Sequence, residues 1–105
     1  MNDTNLLEET IEALADAGKT SKDVKWCGSN CIGWFSWNIF KKIADFEYDS
    51  GYGGAEIDRA LVICGDDFWL ERREYDGSEW WEFKSLPVRP KKCKNPTASK
   101  LKCEY

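Results

Sequence analysis

The sequence predicts an α+β domain: an antiparallel three-stranded meander plus a small N-terminal hairpin, with two helices packed on the sheet. Three observations carry this expectation. Two aromatic runs flank Asp76-Gly77 between Phe68 and Phe83, apolar residues recur at helical spacing after Thr4 and after Ser36, and a second turn signal, Gly65-Asp66, precedes the aromatic runs.

The Asp76-Gly77 turn is the most informative. A two-residue type I′ loop needs positive φ at both central residues, which Asp and Gly accept more readily than most pairs. That turn places Tyr75 opposite Ser78, Arg73 opposite Trp80, Arg72 opposite Trp81, Glu71 opposite Glu82, Leu70 opposite Phe83 and Trp69 opposite Lys84. One face then carries Phe68, Leu70, Trp81 and Phe83. The other carries Trp69, Glu71, Arg73, Tyr75, Trp80, Glu82 and Lys84. A two-residue turn at Gly65-Asp66 sets Ile63 against Phe68 and Leu61 against Leu70, extending the apolar face along a strand over Ala60–Cys64.

Upstream, Thr4 or Asp3 caps a first helix with Leu7, Ile11 and Leu14 in one apolar line, Leu6 and Ala13 beside it, and Gly18 at its end. Gly18-Lys19-Thr20 resembles the tail of a phosphate-binding loop, but Ala13 stands where that loop requires glycine and no strand precedes it. Val24–Cys27 and Cys31–Phe35 read as a small hairpin around Gly28-Ser29-Asn30. Ser36 caps a second helix from Trp37 to about Tyr48, with Ile39, Phe40, Ile43 and Phe46 as its buried stripe. Asp49 to Gly54 is a connection, Ala55 to Arg59 adds one helical turn, and Pro87 and Pro90 end regular structure.

The 105 residues provide for one domain, expected over residues 1–86, with residues 87–105 as a basic, Pro/Lys-rich tail that is mobile or loosely docked. The net charge of −4 divides unevenly. Residues 1–86 hold nine basic and eighteen acidic side chains, a charge of −9, and the tail holds six and one, a charge of +5. An acidic body disfavours direct contact with nucleic acid phosphates. The N-terminus lacks a basic start and an apolar run, and no stretch approaches the ~18 consecutive apolar residues of a membrane span, so a cytoplasmic protein without membrane contact is expected.

The run Phe46-Glu47-Tyr48-Asp49-Ser50-Gly51-Tyr52-Gly53, through Leu61-Val62-Ile63 and Trp69-Leu70-Glu71-Arg72 to Glu74-Tyr75-Asp76-Gly77-Ser78-Glu79-Trp80-Trp81-Glu82-Phe83, resembles small proteins with a domain of unknown function from Gram-positive, often gut-dwelling, bacteria and their mobile elements. The likeness spans about residues 20 to 87, with Tyr75-Asp76-Gly77-Ser78-Glu79-Trp80-Trp81 as its signature, and leaves out the cysteine-containing tail. It implies a bacterial or phage origin and no enzyme class.

For chemistry, the absence of histidine removes Ser-His and Cys-His nucleophile pairs. No catalytic set and no cofactor are expected. Glu71 and Glu82 face each other, an arrangement in which one pKa is expected to rise unless Arg73 and Lys84 neutralise the pair. Five cysteines cannot all pair internally. Cys27 and Cys31 across the first hairpin, with Cys93 and Cys103, make a weak alternative set of four metal- or redox-active thiols, spaced poorly for zinc. Six tryptophans exceed what one core needs. Trp69, Arg73, Tyr75 and Trp80, with Glu71 and Glu82, form a candidate protein-binding surface, because Trp, Tyr and Arg concentrate at interface hot spots. The equal alternative is that the first hairpin, with Trp26 and Trp34, folds over this face and buries it. The leading expectation is a non-catalytic interaction or regulatory module with a protein partner, and the sequence carries no signal for oligomeric state.

Overall fold

The computed structural model describes residues 3–51, 55–88, 91–92, 94–95 and 97–102. It is an α+β structure. The chain runs through β1 (Asp3–Asn5), α1 (Leu6–Asp16), a short 3₁₀ turn (Ser21–Asp23), β2 (Trp26–Ser29), β3 (Gly33–Phe35), α2 (Trp37–Ile43), β4 (Glu47–Asp49), β5 (Val62–Cys64), β6 (Phe68–Tyr75), β7 (Ser78–Ser85) and a 3₁₀ turn over Ala98–Leu101. All strand pairs are antiparallel, in a two-stranded β1-β4 sheet and a five-stranded sheet of order β3-β2-β5-β6-β7.

The main hairpin has the expected register at every pair from Tyr75↔Ser78 to Trp69↔Lys84, and Asp76 and Gly77 have φ of 52° and 86°. Local turn chemistry was sufficient there. The preceding turn differs. Ile63 pairs with Leu70 and Cys64 with Trp69, so the loop is Asp66-Asp67, with Gly65 N–H donating to the Phe68 carbonyl at 2.9 Å. This shift moves each partner by two residues, which returns every side chain to its expected face. The apolar pattern therefore could not exclude it.

The expected three-stranded meander is part of a larger sheet. The first hairpin does not stand apart but adds edge-on to β5 through Cys27↔Ile63 and its neighbours. Its strands are also displaced: Cys27 faces Phe35 and Ser29 faces Gly33, which leaves Asn30, Cys31 and Ile32 in the loop. Gly28 makes this pairing possible, because a Cβ at its φ of +135° would strike the Gly33 carbonyl.

Helix α1 is capped by Asn5, not Thr4 or Asp3, which lie in β1. The Asn5 side chain accepts from Glu8 N–H at 3.0 Å and donates to Asp45 and Glu47. Two further orphan donors of its first turn, Leu6 and Leu7 N–H, reach the Phe46 and Ala44 carbonyls at 3.0 Å each. The buried line is Leu6, Thr10 and Leu14, while Leu7 is partly buried and Ile11 is exposed. Thr10 is tolerated in the core because its hydroxyl donates to the Leu6 carbonyl at 2.7 Å and accepts from Trp81 Nε1 at 2.9 Å.

Ser36 caps α2 as expected, but the helix ends at Ile43. Residues 47–49 pair instead with β1, where the ladder supplies backbone partners that a longer helix would have withheld. The expected stripe changes accordingly. Phe40 and Ala44 are buried, whereas Ile39, Ile43 and Phe46 are exposed. Residues 55–60 bend and turn without forming a helix. The core packs Leu6, Leu14, Phe40, Ala44 and Tyr48 against Cys27, Leu61, Ile63, Phe68, Leu70 and Trp81 on one face of the five-stranded sheet. Among the described residues, no helix is long and apolar enough to cross a membrane.

Candidate protein-interaction surface

Both helices pack on the first face of the sheet, and among the described residues no helix or strand lies over the second. Strand register places Trp26, Cys64, Trp69 and Lys84 in one row across it, and Trp34, Gly28, Val62, Glu71 and Glu82 in the next. Arg73 beside Trp80, then Tyr75 beside Ser78, continue toward the hairpin tip. The first hairpin thus does not cover Trp69 and Trp80 but widens their face. Trp26, Trp34 and Trp80 are 42%, 54% and 41% exposed, Tyr75 is exposed, and Trp69 is partly buried. Trp26 and Trp34 meet edge to face with ring centres 4.8 Å apart, the geometry that the aromatic quadrupole favours.

A chain of polar contacts crosses this face. Trp69 Nε1 donates to Glu71 Oε1 at 2.7 Å. Glu71 Oε2 pairs with Arg73 Nη2 at 2.9 Å, Arg73 Nε with Glu82 Oε2 at 2.8 Å, and Glu82 Oε1 with Lys84 Nζ at 2.8 Å. Glu71 and Glu82 are directly opposed, but the Arg73 guanidinium bridges them. Arg73 and Lys84 neutralise the pair, and no rise in pKa occurs at Glu82: hydrogen bonds from Lys84 and Arg73 hold its carboxyl below the usual range. The hydrogen bond to Glu82, and then the Glu71 charge, hold Arg73 above its ordinary value. This arrangement orders side chains without leaving a proton poised for transfer at Glu82.

The cysteine alternative divides. Cys27 is buried on the helix-covered face, Cys64 lies on the open face, and Cys31 sits exposed in the β2–β3 loop, so Cys27 and Cys31 do not face each other. Burial, and secondarily the neighbouring Cys64 thiol, pushes the Cys27 thiol up to about 12, and burial also raises Cys64. Cys93 and Cys103 lie outside the described residues. Among the described residues no cluster of three or more His, Cys, Asp or Glu side chains could hold a metal ion.

Arg72, which sequence reasoning left without a role, is the centre of a buried polar cluster. Its Nη2 donates to Glu79 Oε1 and to the Tyr48 hydroxyl, both at 3.0 Å, and its Nη1 to Glu9 Oε1 at 3.3 Å. Tyr48 in turn donates to Glu9 at 2.6 Å, and the guanidinium lies 4.7 Å from the Trp81 ring centre. Glu79 also accepts from the backbone N–H of Glu56 and Ile57. These contacts fasten α1, β4 and residues 56–57 to the main hairpin. The signal was available: Arg72 opposite Trp81 puts a charge on the apolar face, and such a charge requires partners. Compared with known proteins, the chain matches no family model, no curated protein and no solved structure.

Proposed function

We propose that this chain is a non-catalytic protein-interaction or regulatory module that binds its partner with the open sheet face. The observation that carries the reading is the exposure of Trp26, Trp34 and Trp80 on a five-stranded sheet whose other face holds the helices. Aromatic groups bring large contact area at small entropic cost, and the Glu71, Arg73, Glu82 and Lys84 chain holds polar groups in place before binding. Trp69, Glu71, Arg73, Tyr75, Trp80 and Glu82 remain the proposed contact residues, now joined by Trp26 and Trp34. The bacterial or phage origin rests on the resemblance of the Tyr75 to Trp81 run.

The test is affinity capture from a bacterial lysate with wild type and a Trp34→Ala/Trp80→Ala variant, after circular dichroism has shown matching folds. Loss of a stoichiometric partner from the variant supports the assignment. Identical captured proteins would remove this face from consideration.

A further inference from the structure

The outer edge of β7 carries a second, self-complementary surface. Leu86 N–H donates inward to the Asp67 carbonyl at 2.8 Å, and Glu79 N–H donates outward to the Ser50 carbonyl at 2.8 Å. Backbone groups alternate in direction along a strand, so the N–H and C=O of Trp81, Phe83 and Ser85 point away from β6. Among the described residues nothing bonds to them. At eight residues β7 is long for an edge strand, and no proline or bulge interrupts its pairing with β6. The opposite edge, β3, has only three residues.

We propose that β7 pairs antiparallel with β7 of a second copy of this chain, forming a two-fold dimer with a continuous ten-stranded sheet. Backbone phase limits the register, because outward-pointing odd-numbered residues must face outward-pointing odd-numbered residues. Three central registers satisfy that condition. One sets Glu82 against Glu82 of the second copy, and another sets Lys84 against Lys84, both repulsive. The third places Phe83 on the two-fold axis and Glu82 opposite Lys84 twice over. It also brings exposed Trp80 beside exposed Leu86 of the second copy, on the open face. The Lys84 ammonium has three donors, of which its bond to Glu82 of its own chain uses one. Charge, apolar contact and backbone phase thus agree on one register. A β7-to-β7 contact is also isologous and closes, whereas β7-to-β3 pairing would propagate into a filament.

Sedimentation of the full chain over a range of concentrations tests this pairing. The wild type should show a monomer–dimer equilibrium. Ser85→Pro removes only an outward N–H, leaves the bonds to β6 intact, and should weaken association about tenfold or more. Glu82→Lys alone and Lys84→Glu alone set like charges across the axis and should be monomeric. Mixed together, they should form a heterodimer with opposite charges restored at both pairs. A wild type monomeric up to millimolar concentration, a dimer unaffected by Ser85→Pro, or a mixture that remains monomeric would each overturn the proposal. Trp34→Ala lies off this edge and should leave the dimer intact, so failure of β7 pairing and failure of the proposed partner surface are separately visible.

Discussion

Arg72 offers the sharpest test of what holds this fold together. Substitution by Met keeps the aliphatic stem packed near Trp81 but removes the guanidinium. Glu79, whose side chain is 2% exposed beside a 3% exposed Arg72, then keeps two backbone donors and loses its counter-charge. The Tyr48 hydroxyl and Glu9 lose their shared cation as well. Removing one member of a buried ion pair costs about 3–5 kcal/mol, because the remaining charge is left uncompensated. Against a total stability of about 5–15 kcal/mol, that is a large fraction. With a urea m value of about 1–3 kcal/mol/M, the midpoint should fall by more than about 1 M. Urea titration followed by tryptophan fluorescence reads this directly. Arg73→Met is the control. Among the described residues Arg73 forms two ion pairs, as Arg72 does, but its side chain is 46% exposed, and solvent and salt screen exposed pairs so that their loss should move the midpoint little. Equal midpoints for the two variants would refute the argument that burial makes Arg72 the fastening point. A double-mutant cycle with Glu79→Gln should show coupling of more than about 1 kcal/mol.

Three further outcomes follow from the β2–β3 hairpin and the thiols. Gly28→Ala places a methyl group against the Gly33 carbonyl at a φ that L residues rarely adopt, so the variant should lose about 2 kcal/mol or more and its thermal midpoint should fall by several degrees. An unchanged midpoint would contradict the described pairing of β2 with β3. Among Cys27, Cys31 and Cys64, an aromatic disulfide reagent at neutral pH should modify Cys31 first and reach Cys27 only on unfolding, as peptide mapping would show. Since the folded thiol of Cys27 is raised from 9.0 to about 12, its protonated form favours the fold. Its contribution is complete below pH 9 and is lost as pH rises toward 12, so the urea midpoint should fall over that interval. Rapid labelling of Cys27 in the native state would contradict its burial.

The main hairpin was legible from Asp76-Gly77 alone, because type I′ geometry and period-two alternation are local and determine all of its pairs. The candidate face was legible to the same extent: Trp69, Glu71, Arg73, Tyr75, Trp80 and Glu82 share it as the alternation requires. The positions of Trp26 and Trp34 were not. A strand that adds to a sheet edge and one that folds over its face have the same residue pattern, and only pairing with β5 distinguishes them. The ends of α1 and α2 were likewise tertiary decisions, since β1 and β4 satisfy each other's backbone and Ala44 and Phe46 accept from the first turn of α1. Thr10 and Arg72 broke the apolar pattern for a related reason. Their partners, Trp81 for one and Glu9, Tyr48 and Glu79 for the other, are distant in sequence and meet only when the helix is laid on the sheet. Sequence thus determined the turn, the face assignments and the presence of two helices, through short-range sterics and periodicity. Tertiary structure decided which face holds the helices and which strands, β3 and β7 among the described residues, lie at the sheet's edges, because those depend on the lateral order of strands, and no local preference encodes that order.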